Sequence, residues 1–300
     1  MPEDGVQFID HADILRYEEI ARIVRVAVQL GIVKIRITGG EPLVRKGILD
    51  FARRLSRMQG IQKLSLTTNA MLLPQYAVSL KDAGIAYLNL SLDTLNREKF
   101  RQITRFDRLP TVLEGISAAK QAGFALIKIN AVSVRGFNDD ELFDFVEFAD
   151  RYELVVRFIE YMPFFGNNWE QDRFLPSAEL RDRLARRYRL LPVDEDPSAP
   201  ARTYRIPGHK GRIGFISAVS ESFCANCNRL RLTADGHLRP CLHGNIEIDI
   251  KGPMRRGAND ADIANLLQEA ANQKPTSHHD FLENQDHISA CDREMVRIGG

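Results

Sequence analysis

Val33-Lys34-Ile35-Arg36-Ile37-Thr38-Gly39-Gly40-Glu41-Pro42 is the stretch that decides the fold. Its first six residues alternate apolar and polar side chains with a period of two, which marks a strand with one core face and one polar face. The two glycines and the proline that follow end the strand in a turn. Runs of the same build recur at Lys63–Thr68, Tyr87–Leu92, Leu126–Val134 and Val155–Tyr161. Between them, apolar residues spaced for a helix predict helices over Tyr17–Leu30, Gly47–Met58, Gln75–Asp82, Leu109–Gln121 and Asp139–Tyr152. Gly31, Gly60, Gly84 and Gly123 stand where helices end. Strand–helix alternation of this kind implies a parallel sheet, open or closed into a barrel.

The expected strands share a second property: each turns polar at its C-terminal end. The ends read Thr38-Gly39-Gly40-Glu41, Thr67-Thr68-Asn69, Ser91-Leu92-Asp93, Lys128-Ile129-Asn130 and Glu160-Tyr161-Met162-Pro163. Active sites of parallel α/β folds gather at that end. Alternation places Arg36, Thr38 and Gly40 on one face of their strand, as it does Thr67 with Asn69, Ser91 with Asp93, and Lys128 with Asn130. Ile35, Ile37, Leu66, Leu90, Leu92, Ile127 and Ile129 fall on the opposite faces, to be covered by helices. A single Thr38, Asn69 or Ser91 is commonly a helix cap or turn former, and a single Lys128 suits an edge strand. Five strands repeating the pattern at one end favour a polar lumen. Gly40 allows a ligand to approach the backbone, and Glu41 is expected to accept hydrogen bonds from an amine.

Beyond Tyr161 the pattern changes. An aromatic loop from Pro163 to Pro176 leads to a helix over Ser177–Tyr188 and a linker containing Pro192, Pro197 and Pro200. Short strands follow at Thr203–Ile206, Arg212–Ile216, Arg229–Thr233 and Ile246–Ile250, with one helix over Asp260–Gln273. A boundary near residue 190 is expected, giving a partial barrel over 1–190 and a smaller α+β unit over 191–300.

Composition narrows the function classes. With 41 basic against 40 acidic residues, the net charge of +1 lacks the basic excess of a nucleic-acid scaffold. No apolar run approaches the roughly 20 residues of a membrane helix. Three of the four cysteines are clustered as C-x2-C-x13-C at Cys224, Cys227 and Cys241. Clustering of that kind favours metal binding in a reducing compartment over disulfides. Structural zinc needs four ligands, so His237, His243 or Cys291 would have to complete the set. An iron–sulfur cluster held by three cysteines instead leaves one iron open. Arg229 and Arg231 follow directly and form a fork suited to phosphate or carboxylate.

Taken together, TGGEP, TTN, LSLD, KIN, EYMP, FCxxCNRLRLTADGHLRPCL and the terminal Gly299-Gly300 resemble the radical S-adenosylmethionine GTP 3′,8-cyclases of molybdenum cofactor biosynthesis. The resemblance runs in order along nearly the whole chain. It implies an α/β fold, an incomplete (βα)6 barrel lacking its first strand, followed by a segment carrying an auxiliary [4Fe–4S] cluster on Cys224, Cys227 and Cys241. It implies S-adenosylmethionine on Gly40, Ser91 and Met162, and GTP on Arg36, Thr67, Lys128, Arg229, Leu230 and Arg231. It assigns no catalytic side chain. In the family a 5′-deoxyadenosyl radical takes the ribose 3′ hydrogen of GTP, and the ribose radical attacks C8 of guanine. An electron donor and a downstream cyclic pyranopterin monophosphate synthase are the implied partners, in the cytoplasm, with a homodimer as the assembly to test.

One departure stands out. The family holds its S-adenosylmethionine cluster on a CxxxCxxC motif whose last cysteine precedes a Met-Pro pair, and this sequence opens Met1-Pro2-Glu3-Asp4-Gly5 without it. Those cysteines, an upstream GTP-binding arginine and the first strand are expected to be missing through a late-assigned start or a fragment; the alternative is an inactive GTP- and iron–sulfur-binding protein. Cys291 is far from the motif's place. Other readings are a zinc-dependent α/β enzyme using Cys224, Cys227, Cys241 and His243, a non-catalytic GTP sensor, for which no GxxxxGK[ST] loop is present, and a radical enzyme acting on a peptide.

Overall fold

The structure is a computed structural model that describes residues 9–298, apart from 165, 166, 168, 195, 222 and 276–292. Five parallel strands lie side by side in chain order: β1 (Lys34–Ile37), β2 (Lys63–Thr68), β3 (Tyr87–Ser91), β4 (Leu126–Ser133) and β5 (Val155–Glu160). Helix α1 (Tyr17–Gln29) precedes β1, and the connections carry α2 (Ile48–Ser56), α3 (Leu73–Asp82), α4 (Arg97–Thr104), α5 (Leu109–Gln121) and α6 (Leu142–Tyr152). The register sets Ile37 beside Leu66, Leu66 beside Leu88, Leu88 beside Ile127, and Ile129 beside Val156. This apolar row faces the helices, and Leu66, Leu90, Ile129 and Val156 are each 0% exposed. Burial of one such side chain stabilises the fold by about 1.5–3 kcal/mol. The intervening residues Arg36, Thr67, Asn89, Ser91, Lys128, Asn130 and Arg157 therefore share the other face, as period two requires.

The sheet continues after α7 (Ser177–Ala185) with β6 (Leu191–Pro192), β7 (Arg202–Arg205) and β8 (Arg212–Ile216). β8 pairs parallel with β5, and β7 and β6 add antiparallel, giving the order β1-β2-β3-β4-β5-β8-β7-β6. Among the described residues no ladder joins the two ends. They nevertheless curl toward each other, since Lys34 on β1 reaches Asp196, just past β6, with Nζ to Oδ2 at 2.6 Å. The sheet is thus an open, barrel-like half-shell.

A second sheet, β9 (Arg231–Leu232), β10 (His237–Arg239) and β11 (Ile248–Asp249), is antiparallel with β10 in the middle. It is followed by α8 (Lys251–Arg255), α9 (Asp260–Asn272) and, near the C-terminus, α10 (Met295–Ile298). Helix α1 joins this unit to the half-shell because it is apolar on two sides. Ala21 and Val24 enter the large core under the parallel sheet. Ile23, Val26 and Ala27 enter a second core with Leu238, Ile248, Ile250, Ile263 and Leu267. Arg22–Asp260 at 2.8 Å and Arg255–Glu19 at 2.9 Å border the seam.

Several elements differ from expectation. The strand expected over Arg229–Thr233 is only Arg231–Leu232, and that over Ile246–Ile250 is only Ile248–Asp249. Helix α4 was not expected because its sequence is charged, with Phe100 its one buried residue; the Asn96 side chain caps it by accepting from the amides of Glu98 and Lys99. β10 was missed for its brevity. Cys291, Gly299 and Gly300 lie outside the described residues.

Candidate functional site

The polar mouth of the half-shell is held by buried acids and amides. Glu41 Oε1 accepts from the amide of Leu43 (3.1 Å) and the hydroxyl of Thr68 (2.8 Å), and Oε2 accepts from the amide of Asn69 (2.8 Å). Three of its roughly four acceptor directions tie the glycine turn to the end of β2, a structural role the sequence reading of Glu41 as an amine acceptor did not include. Glu141 does similar work after β3, accepting from the Thr94 hydroxyl and the Leu95 amide, both at 2.6 Å. Asn138 donates to the carbonyls of Asp93 (2.7 Å) and Val132 (2.8 Å). Asp93 accepts from the Val132 amide at 2.8 Å. Burial pushes its carboxyl up, against that hydrogen bond.

Inside the mouth, Arg157 is 4% exposed and donates to Oδ1 of Asn130 (2.6 Å) and of Asn89 (2.8 Å). Arginine has only donors, so both carboxamides must turn their oxygens toward it. Sequence reasoning passed over Arg157 and Asn89, although each sits in register with the polar row: Arg157 lies opposite Asn130, and Asn89 opposite Thr67 and Lys128.

The cysteine segment is hung from the end of β5. Glu160, 1% exposed, accepts from the amides of Ser177 (2.8 Å), Val219 (2.8 Å) and Ser220 (2.9 Å), and from the Ser220 hydroxyl. This one carboxylate links β5, the start of α7 and the loop leading to Cys224. Farther on, the nearly inaccessible Arg239 pairs with Glu247 and the Gly244 carbonyl, fixing the turn that carries Cys241. Arg293 clamps Asp235 (2.8 Å) and Glu247 (2.6 Å). That clamp precedes α10, whose Ile298 packs on Phe164 with Met162, Leu242 and Met295 around them.

Cys224, Cys227 and Cys241 are free thiols, each partly exposed. Arg229 Nε donates to Cys227 Sγ at 3.4 Å, and the Lys274 ammonium stands 3.7 Å from the same sulfur. Burial pushes the Cys227 thiol up, but the Arg229 backbone and guanidinium, with the Lys274 charge, outweigh it and leave it lowered. His243 stacks on Phe164 with ring centroids 4.7 Å apart.

Arg36, Arg229 and Arg231 converge, although nearly two hundred residues of chain separate the first from the others. Burial pushes the Arg231 guanidinium down to about 10, the charges of Arg229 and Arg36 push the same way, and Cys241 and Cys227 oppose them. Arg36 is likewise lowered by burial and by Arg229. It is open to water yet lies in a concave lumen with protein around it, which is why it is both exposed and poorly solvated. Among the described residues Arg36 has no carboxylate partner, and Arg229 lies over the Phe223 ring at 5.0 Å. Cations gathered at one point raise the local positive potential.

The remaining expected residues distribute around this point. Thr67 and Lys128, both half-buried, are on the lumen face of β2 and β4. Ser91 ends β3 and is exposed, and Gly40 is exposed in the turn after β1, where an added Cβ would meet nothing within 4 Å. Met162 lies beyond β5 against Phe164. Leu230 packs its side chain on the second core, so only its main chain is available to a ligand.

A tetrahedral zinc ion needs its ligand sulfurs about 3.8 Å apart, given bonds of about 2.3 Å. Among the described residues no three His, Cys, Asp or Glu side chains converge on one ion in that way. An iron–sulfur group spreads its ligands farther, and three free thiols bordered by Arg229, Arg231 and Lys274 have the donor chemistry and charge to receive one.

Known proteins resemble this chain along its length. The model of the Radical SAM superfamily matches residues 3–149, and that of Molybdenum Cofactor Synthesis C matches residues 154–280. A GTP 3′,8-cyclase of Moorella thermoacetica is 47% identical over 301 residues, covering 100% of this chain and 92% of the relative. The chain belongs to the GTP 3′,8-cyclase family. A second member, from Pelotomaculum thermopropionicum, is 45% identical over 303 residues with the same coverage. The solved structure of Streptococcus suis SuiB bound to S-adenosylmethionine overlaps 82% of this chain and 58% of its own, with a TM-score of 0.57 and 17% identity, a likeness of fold. The half-shell is therefore a radical SAM fold, and Arg36 and Arg231 fall in segments matched by different family models.

Proposed function

We propose that the chain binds GTP across the seam between its two matched segments and serves as a GTP 3′,8-cyclase in molybdenum cofactor biosynthesis. The observation that carries this reading is the convergence of Arg36, Arg229 and Arg231 beside Cys227 and Cys241. Three planar cations suit a triphosphate, which offers them bidentate oxygens. Lys128 adds a fourth cation from the lumen and Thr67 a hydroxyl; the Leu230 main chain lies between the two arginines. The phosphates would be gripped at the seam, with the purine toward the cysteine segment and the ribose toward the strand ends.

Cys224, Cys227 and Cys241 would hold an auxiliary iron–sulfur group, whose chemistry when bound is to offer the purine an open iron. Gly40, Ser91 and Met162 would hold S-adenosylmethionine, the source of the 5′-deoxyadenosyl radical. The protein's own part is positional. Glu41 and Glu141 fix the loops at the mouth, Arg157 orients Asn89 and Asn130, and Glu160 suspends the cysteine segment. Holding both ends of GTP while the ribose is presented converts an encounter into an oriented reaction, the effect expected of proximity. The 300 residues contain no CxxxCxxC, so turnover would need that cluster from outside them, and an electron donor and the downstream synthase would act with it.

The test is anaerobic reconstitution with iron and sulfide, followed by electron-nuclear double resonance with 15N-labelled GTP. The expected result is a brown protein whose iron centre shows nitrogen coupling. A colourless zinc protein, or an iron centre blind to GTP, would overturn the reading.

A further inference from the structure

Lys274 lies two residues beyond the end of α9, and its half-buried side chain runs back between the two cysteine-bearing segments. Its Nζ donates to the Arg229 carbonyl at 2.7 Å and the Pro240 carbonyl at 2.9 Å, and stands 3.7 Å from Cys227 Sγ. An ammonium has three donors, and all three are committed. One partner follows Cys227 and another immediately precedes Cys241, so a single group sets the distance between the two arms. Among the described residues Lys274 has no carboxylate partner. A partly buried cation without an acid is costly unless an anion is supplied.

We propose that Lys274 is a positioning residue for the auxiliary iron–sulfur group: it holds the Cys227 and Cys241 arms at the ligand spacing and donates a hydrogen bond to a ligand sulfur. The inference rests on the iron–sulfur reading of the three cysteines. Hydrogen bonds to ligand sulfurs and nearby positive charge raise a cluster's reduction potential, and partners outside the ligand set typically matter 10–100-fold for metal retention.

The experiment compares wild type, Lys274→Met, Lys274→Gln and Lys274→Arg after anaerobic reconstitution, measuring iron loss to a chelator and the midpoint of the reconstituted centre. Iron should leave Lys274→Met about tenfold faster than wild type. The midpoint should fall in both Lys274→Met and Lys274→Gln, and Lys274→Arg should recover most of both properties. Equal retention and an unmoved midpoint in Lys274→Met and Lys274→Gln would overturn the proposal. Faster loss with an unmoved midpoint would overturn the sulfur hydrogen bond and reduce Lys274 to a staple between carbonyls. Should Lys274→Met fail to fold, Lys274→Gln decides by the same two readouts. A wild-type chain that takes up no iron would instead overturn the cluster reading itself.

Discussion

Arg231 is held beside the like charges of Arg229 and Arg36 and away from bulk water, and burial together with those charges lowers its guanidinium. For a base lowered to about 10, the destabilisation is in full force at every lower pH and is relieved as pH rises above about 10 toward the ordinary arginine value. Arg231→Met should therefore melt no lower than wild type without nucleotide at neutral pH, while its affinity for GTP falls by about 1.5–3 kcal/mol. Scanning fluorimetry with and without GTP measures both; a variant that melts lower and binds normally would take Arg231 out of the site. Glu19 shows the opposite sign. Its hydrogen bond from the Arg255 guanidinium, against some burial, holds the carboxyl down to about 2 from 4.5. The stability it lends is present above pH 4.5 and lost as pH falls to about 2. Glu19→Gln should be less stable than wild type at pH 7, with the gap closing across that window in urea titrations. A constant gap would contradict the ion pair. At this scale the lumen row was legible because alternation alone places Arg36, Thr67 and Lys128 on one face. The role of Glu41 was not, since its partners at Thr68 and Asn69 depend on how a turn folds back on the neighbouring strand.

Helix α1 is the element on which the site depends, because its two apolar sides bring β9 beside β1. A defect in the second core should accordingly loosen the arginine cluster without dissolving the parallel sheet. Leu267 is 4% exposed in that core, and Leu267→Ala should cost about 2–5 kcal/mol, with GTP binding weakened while the far-ultraviolet dichroism of the half-shell persists. Undiminished binding would show that α1 does not carry the coupling. Glu160 makes a second such joint, between β5, α7 and the loop before Cys224. Glu160→Ala would leave the amides of Ser177, Val219 and Ser220 without this acceptor, the buried Ser177 amide alone costing about 1–3 kcal/mol, and should lower iron uptake more than it lowers helix content. Long periodic segments such as Leu109–Gln121 could be read to the residue. Helix α4 and strand β10 could not, the one because its stabilisation lies in the Asn96 cap and buried Phe100, the other because three residues carry no period.

Across the whole molecule, the open half-shell has its two edges drawn together by Lys34 with Asp196, and the small sheet leans on it through α1. Curvature of this kind follows from strand twist and leaves no trace in any one segment of sequence, which predicts a sheet without saying whether it closes. The arginine cluster is likewise a property of the assembled chain, because Arg36 meets Arg231 only after both cores have formed. With no CxxxCxxC in 300 residues, the chain should release no 5′-deoxyadenosine above an enzyme-free control under reducing conditions, as followed by chromatography. Release would show that another group generates the radical. The most direct measurement is calorimetric titration of the reconstituted chain with GTP, GDP and guanosine, repeated with Arg36→Ala, Arg229→Ala and Arg231→Ala. Affinity should fall with each phosphate removed, and each variant should lose affinity for GTP while leaving that for guanosine nearly unchanged. Equal binding of GTP and guanosine, or three variants that bind GTP like wild type, would contradict a triphosphate site at this seam.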